Sequence, residues 1–165
     1  DKSFLHKEKT LILEDNFFKS FKELNLSGID FIPQTMPPFP WHFGGQRYHN
    51  LMVEPASIRR ICNTLGLNIC LDISHSALAC KFFNIDLKDF IVEVSEFVRH
   101  LHIVDSKDID GEGLQLGEGE LNFNMVSKIL NKKCPNASFV PEIWQGHKNN
   151  GEGFWKALDY LEGLL

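Results

Sequence analysis

Ionisable and amide side chains stand at or just after the carboxyl ends of short apolar runs, where parallel α/β folds collect their reactive groups. They are Gln34 after IDFIP, Asp72 and His75 in LDISH, His102 and Asp105 in HLHIVD, and Glu142 in FVPEIWQGH. Imidazoles and carboxylates that converge from neighbouring strands supply the mixed nitrogen and oxygen ligands preferred by Zn²⁺, Mn²⁺, Co²⁺ or Fe²⁺. The pattern therefore predicts a divalent-metal site made chiefly of Asp72, His75, His102 and Glu142.

The spacing of these residues favours convergence but leaves a purely structural reading open. Asp72 and His75 are three residues apart, so both can face one centre if the strand ends at Asp72 and the chain turns. His100 and His102 are two apart on one strand and share a face, with His102 nearer the carboxyl end and His100 deeper in the core. In the alternative reading, Asp72 caps a turn and His102 is a satisfied core histidine.

The apolar periodicity indicates the elements that would position these side chains. Helical spacing and cap signals predict helices over residues 9–24, 54–66, 86–98, 122–134 and 153–165. Short apolar runs predict strands over residues 29–34, 67–72, 100–104 and 138–142. One helix followed by four strand–helix units predicts an α/β fold with a parallel sheet, either a doubly wound sheet or a barrel.

Length, charge and composition narrow the class of protein. At 165 residues with 43% hydrophobic content, the chain suits one domain but is short for a (β/α)8 barrel of typically ~250 residues. A net charge of −5 argues against nucleic acid as a partner, and no apolar run reaches the ~20 residues of a membrane span. Without a signal sequence or CxxC spacing among its four cysteines, the chain is expected to be cytoplasmic, with reduced, buried thiols, and cut from something longer.

Four segments in register carry a family resemblance: LDISH, HLHIVD, GLQLGEGE and PEIWQGH. Together they resemble the sugar isomerase/epimerase and endonuclease IV superfamily of xylose-isomerase-like TIM barrels, from Gly28 onward. The resemblance implies that residues 1–165 form a single partial domain, strands five to eight of a (β/α)8 barrel with their helices.

The resemblance also implies a ligand set. The family's metal is held by a Glu, an Asp, a His and a Glu that close strands five to eight, and Asp72, His102 and Glu142 match the last three. The first role falls on Gln34, in PQTMPPFPW, where the family pattern resembles ENMPPFPW. An amide is neither an anionic ligand nor a good base, so this position departs from the family. His75 is implied as an additional ligand, a catalytic group or a substrate contact.

The function implied is a metal-dependent sugar or sugar-phosphate isomerase/epimerase, in which strand-end carboxylates move a proton beside a carbonyl. Glu142 keeps that role with His75, while Glu54, His42 or Asp105 could stand in for the missing carboxylate. The alternative is a non-catalytic carbohydrate-binding or accessory barrel remnant. An endonuclease IV-like phosphodiester hydrolase is disfavoured, because Gly111 and Gly113 stand where its extra ligands would fall.

Two loops are candidates for holding the sugar. Residues 37–50 could cover the pocket: Phe39 and Trp41 could stack on a sugar ring or simply cover the barrel mouth, and His42 could contact the substrate. After Glu142, the side chains of Gln145, His147 and Lys148 could hold hydroxyls or a phosphate, or be plain solvated surface.

A half barrel would also leave unpaired strand edges and an apolar face. We therefore expect it to pair with a second copy of itself or with a missing N-terminal half barrel.

Overall fold

The computed structural model describes residues 7–42, 45–46 and 48–164. Within them the helices are α1 (Lys7–Lys22), α2 (Pro55–Leu65), α3 (Ile73–Phe83), α4 (Leu87–Val94), α5 (Phe123–Lys133) and α6 (Lys148–Glu162). The strands are β1 (Trp41–His42), β2 (Gly45–Gln46), β3 (Ile69–Asp72), β4 (Val98–Ile103), β5 (Asp105–Lys107), β6 (Gly111–Leu114) and β7 (Ser138–Pro141). This mixture of helices and parallel strands confirms the predicted α/β class.

The central sheet is parallel, with the strand order β3-β4-β7. On the free side of β3, Gln34 forms an isolated parallel bridge with Cys70. The predicted strand 29–34 is therefore wrong in its extent, since only its last residue joins the sheet. Pro33 cannot donate a backbone N–H to a ladder, and Ile29 at the other end of this run is 60% exposed.

The helix α3 was missed by the periodicity. Asp72 ends β3 and at once caps α3, where its side chain accepts a hydrogen bond from the backbone N–H of His75 at 2.8 Å. The helix buries Ile73, Ser74, Ser76, Leu78, Ala79 and Cys80. Because these residues do not form one apolar stripe, the sequence has no amphipathic pattern that would predict this helix.

The helices α2, α4 and α5 lie close to their predicted bounds, whereas the last helix begins at Lys148 rather than at Gly153. Its first turn is interrupted by left-handed backbone at Asn149, Asn150 and Gly151. None of the helices among residues 7–164 that the structure describes is long and apolar enough to cross a bilayer.

The core lies between the sheet and the helices and includes Ile58, Ile61, Ile69, Leu71, Phe90 and Ile91. All four cysteines are buried and none forms a disulfide. Burial raises the pKa of the Cys62 thiol to about 11 and, together with Asp86, that of Cys80 to about 12. These two thiols are packing groups, in keeping with the expected structural role.

One edge of the sheet is open among the described strands. The strand β7 pairs with β4 alone, and Phe139 and Val140 on β7 are about half exposed. Beside it lies an open apolar cavity of about 460 Å³, whose lining includes Leu101, Ile103, Phe123, Phe139, Leu158 and Leu161. This side of the domain therefore presents both an unpaired backbone and an apolar surface.

A buried carboxylate ties α1 to α2. Glu14 is 1% exposed and accepts hydrogen bonds from Ser57 Oγ at 2.5 Å and from Arg60 Nε and Nη2 at 2.6 Å each. Because Glu14→Ala leaves both donors without their acceptor, we expect the free energy of unfolding to fall by ~1–3 kcal/mol. Urea unfolding followed by circular dichroism measures this. Asp15→Ala, which removes an exposed carboxylate from the same helix, should change little, and equal midpoints for the two variants would contradict the role.

Candidate metal centre

The register of the sheet brings three predicted ligands together. Asp72 on β3 lies opposite His102 on β4, and Glu142 directly follows β7. His102 Nδ1 lies 3.5 Å from Asp72 Oδ2 and 2.5 Å from Glu142 Oε2. One ligand atom from each of these residues lies within 4.8 Å of the others, which is the spacing that a shared metal ion requires.

The nitrogen at the centre of this group has no hydrogen bond of acceptable geometry, although it is buried and lies close to two carboxylates. Burial alone would lower the pKa of this imidazole, but Asp72, Cys70 and Glu142 outweigh it and raise the pKa to about 12. In turn, contact with His102 lowers the pKa of Glu142. A divalent ion can take the place of the imidazole proton, because a ligating histidine must be neutral. The nitrogen and oxygen donors of the group therefore fit such an ion.

The side chain of Gln34 also reaches this centre. Its Nε2 donates a hydrogen bond to Asp72 Oδ2 at 3.0 Å and lies 3.2 Å from His75 Nδ1. The amide nitrogen, which cannot bind a metal, thus faces the same carboxylate oxygen that faces His102. Oriented this way, Gln34 adds a hydrogen-bond donor where the family pattern has a negative charge.

The imidazole of His75 lies beside the centre and has partners of its own. Its Nδ1 is 2.9 Å from the Thr35 carbonyl oxygen, and its Nε2 is 3.4 Å from Glu112 Oε2. Burial lowers its pKa, but Glu112, Asp72 and Thr35 raise it more, so the net shift is upward. The pair formed by His75 and Glu112 therefore places a third carboxylate near the centre, beside those of Asp72 and Glu142. Sequence reasoning missed Glu112, whose only signal was an acidic residue inside the Gly-rich stretch DGEGL.

Asp105, considered above as a replacement base, does not face the centre. Its carboxylate is fully buried and accepts hydrogen bonds from the backbone N–H groups of Ser106, Gly117, Gly119 and Leu121, at 2.8, 3.0, 2.9 and 3.2 Å. A Cβ atom at Gly119 would overlap Asp105 Oδ1 and the Ser106 carbonyl oxygen. The carboxylate thus organises the loop after β6 and has no lone pair to spare for chemistry.

The remaining candidate bases, Glu54 and His42, and the aromatic residues of the loop 37–50 differ in their exposure. Glu54 is exposed at the start of α2 and makes no side-chain cap hydrogen bond. The side chain of His42 lies outside the described residues. Phe39 is 4% exposed and packs edge-on against Tyr48 and Phe82, which favours the covering role over stacking on a sugar. Trp41 is 66% exposed and free to contact a ligand.

The loop after β7 forms the edge of a second, shallow cavity of about 350 Å³. Gln145 and Lys148 line it and contact each other, with Lys148 Nζ donating to Gln145 Oε1 at 2.8 Å. His147 is exposed and does not line this cavity. Trp144, which the sequence reasoning did not single out, lines the cavity and is 77% exposed. Its backbone N–H donates to the Gly113 carbonyl at 2.8 Å, which holds β6 against this loop.

Parallel strands whose carboxyl ends bring an imidazole and two carboxylates together define an α/β protein with a candidate metal centre at the usual functional edge of the sheet. Residues 7–164 match the family model described as xylose isomerase-like TIM barrel. The chain therefore belongs to the xylose isomerase-like TIM barrel family, as the strand-end motifs predicted.

Several known proteins resemble the chain over part of their length. It is 37% identical to the uncharacterized protein MJ1614 of Methanocaldococcus jannaschii over 75 residues, which are 45% of this chain and 28% of that protein. A D-tagatose 3-epimerase-like protein superposes with a TM-score of 0.70 at 21% identity, covering 99% of this chain and 58% of that one. The probable 3-DHS dehydratase AsbF of Bacillus anthracis, which is involved in petrobactin synthesis, superposes with a TM-score of 0.65 at 14% identity. The match covers 97% of this chain and 58% of that one.

These similarities define the fold. The chain spans just over half the length of each of the two solved structures, and their identities to it are low. Since one fold serves different reactions, the reaction has to be argued from the side chains at the site.

Proposed function

We propose that this chain is part of a metal-dependent sugar or sugar-phosphate isomerase/epimerase, with Asp72, His102 and Glu142 as ligands of one divalent ion. The observation that carries the proposal is the convergence of two carboxylates on His102 Nδ1, with Asp72 Oδ2 at 3.5 Å and Glu142 Oε2 at 2.5 Å. Membership of a xylose isomerase-like family, with an epimerase-like protein among its structural neighbours, supports the reaction class. A bound divalent ion would polarise the substrate's carbonyl and hydroxyl oxygens.

In this proposal two groups of the chain, Glu142 and His75, move the proton. Contact with His102 lowers the pKa of Glu142 in the metal-free chain, and the Glu142 side chain is 53% exposed, so in this proposal its second oxygen accepts a proton from a substrate. Both ring nitrogens of His75 face hydrogen-bond acceptors, since Nδ1 faces the Thr35 carbonyl oxygen and Nε2 faces the Glu112 carboxylate, so the ring holds a proton. In this proposal Glu142 removes the proton from the carbon beside the carbonyl. His75 donates a proton to, or accepts one from, the opposite side of the substrate.

In this proposal the exposed side chains of the two candidate loops contact the sugar. Trp41 offers an indole face for a ring, and Gln145 offers hydrogen bonds to hydroxyls. If the substrate carries a phosphate, we expect Lys148, which follows His147 in sequence, to bind it.

The test has two parts on one preparation. Elemental analysis, with the oligomeric state fixed by light scattering, should find about one transition-metal ion per chain. Proton exchange at the carbon beside the carbonyl, followed by NMR in D2O over ketohexoses, ketopentoses and their phosphates, should occur and be lost in Glu142→Gln. Glu23→Gln, at an exposed site directly after α1, is the matched control. A folded protein that binds no metal and exchanges no proton would exclude the proposal.

A specific observation favours a second candidate, a non-catalytic carbohydrate-binding module. The Gln34 amide donates to Asp72 from the position of the family's carboxylate, which removes one ligand and one base together.

The variant Gln34→Glu distinguishes these two candidates. We expect the affinity for Mn²⁺, measured by calorimetry, to rise about 10-fold or more, which corresponds to ~1.4 kcal/mol. The reason is that a carboxylate would replace a hydrogen-bond donor beside Asp72 and His75. Without metal the added like charge should lower stability. Gained proton exchange would identify a decayed enzyme, whereas gained affinity without exchange would favour the binding module. Asn63→Asp, which gives an exposed amide on α2 the same change of charge, is the control, and an equal gain there would contradict the assignment of Gln34.

We also propose that the parallel segments are strands five to eight of a barrel and that the open β7 edge pairs with a second copy or with an N-terminal half barrel. The coverage of just over half of each structural neighbour supports this. Light scattering tests the first partner, since self-pairing requires a mass above the monomer's 18.9 kDa.

A further inference from the structure

A second group of metal-binding side chains lies one layer deeper on the same face of the sheet. Cys70 on β3 is directly opposite His100 on β4, and His102 is two residues further along β4. Residues paired across neighbouring strands share a face, as do residues two apart on one strand. One ligand atom from each of Cys70, His100 and His102 lies within 4.8 Å of the others.

The thiol of this group is held on rigid backbone. The N–H of Cys70 donates to the Pro33 carbonyl at 2.9 Å, and its carbonyl accepts from the N–H of Thr35 at 3.0 Å. Strand β4 holds the residue from the other side, and Cys70 is 5% exposed. A thiol fixed in this way can bind an ion without the cost of ordering a loop.

The histidine opposite is oriented for binding as well. Its Nδ1 lies 2.8 Å from Ser138 Oγ, which leaves Nε2 as the nitrogen free to bind an ion. Metal-binding histidines commonly use their other ring nitrogen in this way, because the hydrogen bond holds the orientation of the ring. The rings of His100 and His102 are nearly perpendicular, with centroids 5.4 Å apart.

We propose that Cys70, His100 and His102 form a second cation site, selective for thiophilic ions such as Zn²⁺. A sulfur and two imidazole nitrogens are the donors that Zn²⁺ prefers, whereas Asp72 and Glu142 give the centre above the oxygen-rich character that suits Mn²⁺. On binding, the Cys70 thiol and the protonated His102 imidazole each release a proton to the buffer, and the Cys70 sulfur and the imidazole nitrogens bond to the ion. Because His102 belongs to both groups, one imidazole links a soft site to a harder one.

The test uses Co²⁺ as an optical probe for Zn²⁺, on the purified chain under reducing conditions. Added Co²⁺ should produce a thiolate-to-cobalt charge-transfer band that Zn²⁺ abolishes by displacement. Cys70→Ser should remove the band and lower Zn²⁺ affinity at least ~10-fold, the scale on which even outer partners of metal ligands act. His100→Ala should weaken binding similarly, while Cys134→Ser, which changes another buried thiol, should keep the band.

The outcomes separate this site from the proposed function. Mn²⁺ affinity, measured by electron paramagnetic resonance, should be unchanged in Cys70→Ser and reduced in Glu142→Gln, which should in turn retain the cobalt–thiolate band. A folded wild-type chain that gives no band, or a band that survives Cys70→Ser, would overturn the second site. Loss of Mn²⁺ binding alone would instead count against the isomerase proposal and leave this one standing.

Discussion

Replacing Asp105 with alanine is expected to lower the free energy of unfolding by about 3–5 kcal/mol. Four backbone N–H groups, at 2.8 to 3.2 Å, would lose their common acceptor. A buried donor left unsatisfied costs ~1–3 kcal/mol, and water can reach part of this loop, so the total should fall short of the full sum. Urea unfolding followed by far-UV circular dichroism gives the value directly.

Two comparisons identify the mechanism of that loss. Asp89→Ala removes an exposed carboxylate from α4 and should change stability by less than ~0.5 kcal/mol. Gly119→Ala keeps the carboxylate but forces a methyl group against it, so it should also destabilise the protein clearly. If Asp105→Ala were no worse than Asp89→Ala, the loop would not depend on this carboxylate.

Replacing His102 with alanine is expected to lower the affinities for both Mn²⁺ and Zn²⁺ at least about 100-fold, the largest effect on metal binding of the variants considered. Its imidazole is the one side chain shared by the carboxylate group and the cysteine group. Even outer partners of metal ligands change affinity 10–100-fold, so loss of a direct ligand should do at least as much. Calorimetric titration of each ion into the metal-free chain measures the effect.

The control for this variant is His147→Ala, which removes an exposed imidazole from the loop after β7 and should leave both affinities unchanged. Circular dichroism of the metal-free proteins checks that His102→Ala still folds, as expected from the hydrogen bonds that Asp72 makes with His75 and Gln34. Retention of tight Mn²⁺ binding in a folded His102→Ala chain would rule out the proposed centre.

The proximity of Asp72, His102 and Glu142 followed from sequence because parallel strands impose it. Each strand was recognisable as an apolar run, and the residue closing it had to meet its neighbours at one edge. The pairing of Asp72 with His102 is this rule in its simplest form. Family membership followed from the same strand-end segments.

The contribution of Glu112 could not be foreseen, because it depends on a hairpin that has no apolar signature. The strands β5 and β6 have three and four residues, and β6 begins with Gly-Glu-Gly. Only their antiparallel pairing carries Glu112 to His75. The role of Asp105 was hidden for a related reason, since its partners are backbone groups 12 to 16 residues away along the chain, apart from its neighbour Ser106.

The three tryptophans give the protein an unusual optical property. Trp41, Trp144 and Trp155 are all more than half exposed. Indole emission follows the polarity of its surroundings, so the native fluorescence should already match that of solvated indole and shift little on unfolding. Trp144 is two residues from Glu142, and a ligand that covers the loop after β7 would move this indole out of water. The wavelength of intrinsic fluorescence should therefore change when a ligand occupies the site and change little when the protein unfolds.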